Sequence, residues 1–413
     1  MKTYYNWLNQ LVNSNKSAFS EWTNLSWLNS YSAHEAQEKK VTLLKKAENI
    51  LFKGTKPYYK QISNGCKLCG LGQWSCLFIT GKCNASCFYC PTSQQEDHLP
   101  TTQNLSFADP SAFAEYVNHF RFKGVSFSGG EPLLQFDRTL DYLKQVRRKC
   151  NPETYVWMYT NGILAETQKF RKLASAGINE VRFDIGATAF RLDKIAAAKG
   201  IVPVITIEIP SVPEELERLK KMLPEMVKAG VSNLNLHQLR LTPHNVKQLS
   251  KHNYTYIHAE QPVVLESELA ALELIAYAHD HSIDIGINYC SFHFKNRFQK
   301  AGFRNKVATA LADDEDLLTQ NGYIRRYDGT GIGYDSIRIF DVKPDRLAVQ
   351  EFQLKSKTYY YSRQVVMNTV AIDTATKDKI DRLLEAEPNE IPNDPLLFRI
   401  WQLEYIERGL REY

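Results

Sequence analysis

The sequence predicts an α/β fold in which parallel strands are joined by helical crossovers, with a helical N-terminal extension and an α+β C-terminal extension. Three observations predict it. From residue 72 onward, short β-prone runs alternate with stretches of helical periodicity, the mark of βαβ units. The chain has 413 residues, 43% of them hydrophobic, enough to bury the core of one large domain with additions or of two domains. Six of the eight cysteines crowd into residues 66 to 90, around the first of these strands.

Taken in order, residues 1–63 read as a mostly helical extension. Trp7, Leu8, Leu11, Phe19 and Trp22 supply an apolar face, and residues 35–52 form an amphipathic helix ending near Gly54. A partner-docking surface is the alternative to simple packing for this extension. The core, 64–305, carries predicted strands at 75–80, 123–128, 155–160, 179–185, 202–208 and 232–238. Helices are predicted near 108–120, 135–149, 165–176, 187–198 and 213–229. Residues 240–265 read as an excursion, followed by a helix at 266–281, a strand at 283–288 and a basic amphipathic stretch, Phe294 to Arg304. In the extension 306–413, residues 335–343 and 347–361 alternate as an antiparallel hairpin or ribbon would. Helices are predicted near 373–385 and 394–411.

The chemistry concentrates at Gly81-Lys-Cys-Asn-Ala-Ser-Cys-Phe-Tyr-Cys90. Cys83, Cys87 and Cys90 stand in the spacing C-x3-C-x2-C on a loop delivered by the first strand. Close-spaced thiolates suit a soft metal centre. Three ligands, rather than four, leave one iron of a [4Fe–4S] cluster open. A zinc loop or three unrelated thiols would read the same way on spacing alone. About forty residues on, the second strand ends in Ser128-Gly-Gly-Glu131. Gly129 and Gly130 permit close backbone approach there, and Glu131 supplies an acceptor.

With both motifs in place, residues 64 to 300 resemble the radical S-adenosylmethionine (SAM) superfamily. The resemblance implies a partial (β/α)6 barrel of the TIM type, with chemistry at the C-terminal ends of its strands. It implies a [4Fe–4S] cluster on Cys83, Cys87 and Cys90, whose open iron is chelated by SAM. Tyr89, before the last cysteine, fits the family pattern. Gly129, Gly130 and Glu131 are implied to hold the SAM amino group. The implied reaction begins with an electron from a donor such as flavodoxin or ferredoxin. SAM is then cleaved reductively, and a 5'-deoxyadenosyl radical abstracts a hydrogen atom from the substrate. Within the superfamily the cysteine pattern looks most like proteins described as related to pyruvate formate-lyase activating enzyme.

Further residues are candidates at the strand ends. Thr160 and Asn161 suit SAM or substrate contacts, or a plain turn. Arg182 and Asp184 point to one side of the fourth strand; Arg182 is placed to pair with the SAM carboxylate and Asp184 to touch substrate, or the two serve structural salt bridges. His237 is a candidate for substrate binding or proton transfer, or a structural hydrogen-bonder. Cys66 and Cys69, in a C-x2-C placed on a tight turn, and Cys76 and Cys290 exceed what the first cluster needs. They suggest a second metal site, a second [4Fe–4S] cluster or zinc, with Cys76 the doubtful ligand. Cys150 stands alone and reads as structural.

A net charge of +5, mixed in sign, does not argue for nucleic acid. No apolar run approaches the roughly 18 residues of a membrane span, and the first residues lack a signal-peptide core. A cytoplasmic protein is expected, its clustered thiols binding metal rather than forming disulfides. The substrate, whether small molecule, peptide or protein, is not written in these residues. Two other readings stay open: a radical SAM enzyme acting on RNA or a ribosomal peptide, and a non-catalytic Fe–S or zinc-binding protein.

Overall fold

A computed structural model describes residues 2–28, 34–47, 49–52, 54–103, 105–311, 314, 317–319, 321–329, 335–343, 349–354, 357–362, 364–372, 378–379, 382–383 and 391–404. The chain divides into two compact units. One comprises Ser14–Gly70 and Trp74–Lys295; the other comprises Met1–Asn13, Leu71–Gln73 and Asn296–Glu412.

The first unit is built on seven strands: β1 (Trp74–Thr80), β2 (Gly124–Gly129), β3 (Tyr155–Thr160), β4 (Glu180–Phe183), β5 (Val204–Pro210), β6 (Asn233–His237) and β7 (Gly286–Cys290). They pair in chain order and every pair is parallel. The run expected at 283–288 is therefore a seventh parallel strand beside the six. At the β7 edge, strand Lys56–Tyr59 pairs antiparallel, and Asn49–Leu51 pairs on it. At the β1 edge lie Thr101–Thr102 and Leu105–Ser106, so the sheet stays open.

Each strand alternates in the sense opposite to a filled barrel. The side chains facing the covering helices are apolar: Leu77 and Ile79, Val125 and Phe127, Val156 and Met158, Ile205 and Ile207, Leu234 and Leu236 are all 3% exposed or less. The other face carries Cys76, Ser126, Tyr159, Arg182, Glu208, Asn235, His237, Asn288 and Cys290. Helix α1 (Asn64–Gly70) packs on this polar face. It reaches β2, where Leu68 lies against Gly124, and β7, where Asn288 Nδ2 stands 4.0 Å from Cys66 Sγ. In a flat sheet, strands five places apart are separated by about 24 Å. A seven-residue helix is only about 10 Å long. The sheet is therefore strongly concave, a partial barrel whose lumen α1 plugs.

Several expectations are corrected. The helix foreseen at 35–52 ends at Leu44; Asn49–Leu51 and Lys56–Tyr59 form a hairpin, turning where Phe52 (φ +50) and Gly54 (φ +86) leave the helical region. The Cys66–Cys69 pair lies on a helix rather than a tight turn, because the Ser63 hydroxyl accepts from Cys66 N at 3.2 Å and caps it. No helix spans 187–198: Ala189 and Phe190 take positive φ, leaving short 3₁₀ turns at Ile185–Thr188 and Ile195–Ala197. In the second unit, Asp335–Lys343 pairs with Gln364–Ile372 and with Ile324–Gly329. The short hairpin there is Val349–Leu354 with Lys357–Ser362. The foreseen helix 394–411 is seen as Pro395–Glu404, and most of 373–385 lies outside the described residues. Among the described residues no helix is long and apolar enough to cross a membrane.

The outer, apolar face carries the folding energy. Leu236→Ala, which opens a hole under the helices at a fully buried site, is expected to cost about 2–5 kcal/mol. Guanidinium titration checks this as a lower midpoint at unchanged slope.

Candidate active site

The loop after β1 carries Cys83, Cys87 and Cys90, each half-buried. Its backbone is folded back on itself: Cys83 N donates to Gln94 O at 3.0 Å, and Cys90 N to Cys87 O at 3.0 Å. Four outside elements fasten it. From the end of β3, Asn161 Nδ2 donates to Asn84 Oδ1 at 2.7 Å and reaches Cys83 Sγ at 3.5 Å. From beyond β4, the Asp184 carboxylate accepts from Tyr89 OH at 2.9 and 3.1 Å. From the excursion after β6, Asn245 Nδ2 donates to Tyr89 O at 3.2 Å and Thr242 Oγ1 to Pro91 O at 3.0 Å. From β2, Gly130 N donates to Thr80 O and Glu131 N to Lys82 O, at 2.8 and 2.7 Å.

This last crossing explains the glycines. Gly129 takes φ +118, and a Cβ on Gly130 would stand 1.9 Å from Lys82 O. The loop seats directly on bare backbone. Three thiols on one loop, held from four sides, fit a cluster bound by three cysteines. Burial raises the thiol pKa of Cys87 to about 12 and pushes Cys90 up as well. Metal binding must therefore displace protons from these sulfurs.

Glu131 is fully buried. Its carboxylate accepts from Leu133 N at 2.8 Å, Thr160 Oγ1 at 2.9 Å and Asn161 N at 2.7 Å. Thr160 and Asn161 thus turn their donors onto Glu131, and the three residues join the ends of β2 and β3. Arg182 is committed likewise. It donates from Nε to Glu180 Oε1 (2.9 Å) and from Nη1 to Glu208 Oε2 (2.7 Å) and Tyr159 OH (3.3 Å). Its Nη2 reaches Ser63 Oγ (3.0 Å). The Arg182 guanidinium thus lies inside the lumen, ion-paired to Glu180 and Glu208.

His237 sits between Glu208, bonded to its Nε2, and Lys295, whose Nζ donates to Nδ1 at 2.8 Å. An ammonium at Nδ1 leaves the ring proton on Nε2, directed at Glu208. Burial and then Lys295 lower the His237 pKa, with Glu208 acting against them. Burial opposes ionisation of Glu208, yet Arg182 and His237 hold its carboxylate far below the ordinary range.

The extra cysteines divide. Cys66 and Cys69 on α1 and Cys290 at the end of β7 surround the Lys56 ammonium. Its Nζ donates to Cys290 Sγ at 2.7 Å and Asn288 Oδ1 at 2.8 Å, and the side chain is only 1% exposed. Burial works against that charge, but Cys290 and Cys66 outweigh it and raise the Lys56 pKa. Burial lifts Cys69 to about 12. Cys76 faces Ser126 and Ser128 rather than the other thiols, and burial lifts it to about 12 too. Among the described residues no three His, Cys, Asp or Glu side chains close around a single ion. Cys150 caps a helix, its Sγ against Ala114 O at 3.5 Å. Sequence reading passed over Lys56, Ser63, Glu180, Asn245 and Asn288. The polar alternation of β4 to β7 was the available signal for Glu180 and Asn288.

A family model described as the Radical SAM superfamily matches residues 77–201. A protein of Methanocaldococcus jannaschii named "Putative glycyl-radical enzyme activating enzyme" is 26% identical over 300 residues, 70% of this chain and 76% of its own length. A GTP 3',8-cyclase of Staphylococcus carnosus is 29% identical over 115 residues, 27% of this chain and 33% of the cyclase. Among solved structures, SuiB of Streptococcus suis bound to S-adenosylmethionine aligns at 15% identity and a TM-score of 0.40, over 72% of this chain and 66% of SuiB. The radical SAM methyltransferase TsrM of Kitasatospora setae aligns at 12% identity and a TM-score of 0.31, over 42% of this chain and 36% of TsrM.

The Glu131 clamp makes a pH prediction. Burial lifts its pKa from the ordinary 4.5 to about 6. The folded chain then binds this proton more tightly than the unfolded chain. The stabilisation is full below about pH 4.5 and is lost as pH rises through about 6. At 1.36 kcal/mol per unit this is roughly 2 kcal/mol. Glu131→Gln is expected to remove that part of the pH slope in urea titrations; identical slopes in variant and wild type would show that the carboxylate does not titrate there.

Proposed function

The chain belongs to the radical SAM superfamily of enzymes, and we propose that it abstracts a hydrogen atom from a polar substrate bound in the lumen of its partial barrel. The observation that carries this is the seating of the three-cysteine loop at the mouth of a lumen lined by ordered polar side chains. When bound on Cys83, Cys87 and Cys90, a [4Fe–4S] cluster with SAM supplies reductive carbon–sulfur cleavage and a hydrogen-abstracting 5'-deoxyadenosyl radical. The chain's own residues do the rest. Gly129 and Gly130 let the cluster loop seat on bare backbone, which brings it beside the residues that would receive the SAM amino group. Glu131, with Thr160 and Asn161, fixes that backbone and retains one unused lone pair. Asp184 holds Tyr89, and through it the loop, against β4. Plug helix α1 closes the far end of the lumen and excludes water. The electron comes from a small redox protein such as flavodoxin or ferredoxin.

Cys66, Cys69 and Cys290 form the second metal site in this reading, with Cys76 outside it. Lys56 supports this. A buried ammonium needs a negative partner, and thiolates drawn around a metal supply one. Three cysteines suit a second [4Fe–4S] cluster with one open iron. The Methanocaldococcus jannaschii relative favours one more specific reading, in which the substrate is a glycine residue of a partner enzyme.

Reconstituted protein given SAM and dithionite is expected to form 5'-deoxyadenosine, and Cys83→Ala, Cys87→Ala or Cys90→Ala to abolish it. No 5'-deoxyadenosine from iron-loaded wild type would end the enzyme reading. Iron counting tests the second site: about eight irons per chain are expected in wild type, and about four in the Cys66→Ala/Cys69→Ala double variant. Cys76→Ala is expected to keep about eight. About four in every form, with no zinc lost, would leave one cluster.

A further inference from the structure

Most charges in the lumen are matched within it. Arg182 meets Glu180 and Glu208, and the Lys56 ammonium donates to the Cys290 sulfur. Two further cations stand beside this network. Arg240 follows β6, and Lys295 follows the short helix Phe292–Phe294 after β7. Both lie over the Phe292 ring, the Arg240 guanidinium carbon 5.1 Å and Lys295 Nζ 4.9 Å from its centroid. Their hydrogen-bond acceptors are neutral. Arg240 Nη1 donates to Gln261 Oε1 at 2.9 Å, and Lys295 Nζ to His237 Nδ1 at 2.8 Å. Glu208, whose oxygens are taken by Arg182, Asn235 and His237, also acts on Lys295 across His237 and offsets part of its charge, whereas among the described residues no carboxylate acts on Arg240.

Two like charges against one ring repel, and partial burial removes the water that would screen them. An aromatic face offsets only part of that cost. Their position is also specific. Arg240 is within electrostatic reach of Cys90 of the cluster loop, whereas Lys295 is within reach of Cys290, Glu208 and Cys69. The pair thus stands between the two cysteine groups. Lys295 also opens a π-helical turn, Lys295–Gln299, a geometry frequent at functional sites.

We propose that Arg240 and Lys295 form a subsite for an oxyanion of the substrate, a carboxylate or a phosphoryl group. This rests on the lumen being the substrate chamber. Arg240 offers the planar fork that matches two oxygens, and Lys295 keeps N–H donors beyond the one given to His237. His237 is then a positioning residue: anchored on Glu208, it aims the ammonium at the bound anion. A substrate held here presents its remaining atoms toward the cluster loop on one side and the Cys66–Cys69–Cys290 group on the other.

Anion binding tests this without turnover, so its failure is separate from failure of the hydrogen-abstraction reading. Anaerobically reconstituted protein, saturated with SAM, is titrated calorimetrically with malonate and separately with inorganic phosphate. Saturable binding of either is expected, and whichever binds tells carboxylate from phosphoryl. Arg240→Met and Lys295→Met are expected to weaken it about ten- to a hundredfold, the loss of one charge-assisted hydrogen bond, with SAM affinity unchanged. Arg240→Lys and Lys295→Arg, which keep the charge and guard against misfolding, are expected to retain most of it. His237→Gln is expected to weaken anion binding less than Lys295→Met. No saturable binding of either anion up to about 10 mM, weaker than any affinity worth a few kcal/mol, would overturn the proposal. So would an Arg240→Met variant that loses SAM affinity and keeps anion binding, since the cation would then serve the SAM carboxylate.

Discussion

A single buried guanidinium holds the lumen together. Arg182 is 2% exposed and takes acceptors from β3, β4, β5 and the residue that caps the plug helix. Its plane also lies over Trp157 and Tyr159, at 5.0 and 5.4 Å. Removing such a charge from water costs several kcal/mol, and an incomplete set of partners leaves that cost uncovered. The partners must therefore arrive together. Their arrival fixes the depth of α1 in the barrel, because a Cβ on Gly65 would strike the Arg182 guanidinium at 2.3 Å. The depth of α1 in turn sets where Cys66 and Cys69 stand relative to Cys290. A guanidinium that looks like a ligand contact in sequence is the frame on which one cysteine group is hung.

The same logic explains why the sheet is apolar outside and polar inside. Helices on the outer face supply the hydrophobic burial that stabilises the unit. The inner face is thereby released from core duty, and its polar residues satisfy one another along rows that cross strands. One row runs Arg182, Glu208, His237, Lys295; another runs Lys56, Asn288, Asn235. Such networks are rigid when complete and costly when partial. The cluster loop is placed by a different device. Phe88 and Tyr89 pack it on one apolar cluster, and it is fastened by side chains from three elements and by the backbone of a fourth.

Much of this was legible in the sequence. The strand positions and the three-cysteine loop followed from periodicity and spacing, and the glycines from the need for close approach. Alternation put Arg182 and Asp184 on one side of their strand without saying which. What escaped were facts about partners. Glu131, Thr160 and Asn161 each read as a ligand contact, but they face one another across two strand ends separated by about thirty residues. No local pattern encodes that. The helix at 64–70 was hidden by its flanking glycines, and only the Ser63 cap announced it. Lys56 lies in a short strand, paired on both sides, that begins just beyond the predicted helix end near Gly54. Its burial depends on β7, more than two hundred residues away.

The two cysteine groups are not electrostatically independent. Tyr159, Arg182 and Glu208 lie between them. Asp184, which anchors Tyr89 of the first group, feels Glu208, and Cys66 of the second group feels both Glu208 and Arg182. In an interior of low effective dielectric, interactions of this kind are screened far less than at a surface. A change of charge at Cys66–Cys69–Cys290 therefore alters the field at Glu208, and Glu208 alters the field at Asp184 and Tyr89. The coupling needs no moving part, because every residue on the route is already fixed by its hydrogen bonds. A partial barrel whose inner face is polar couples the fields at its two cysteine groups as a consequence of how it is held together.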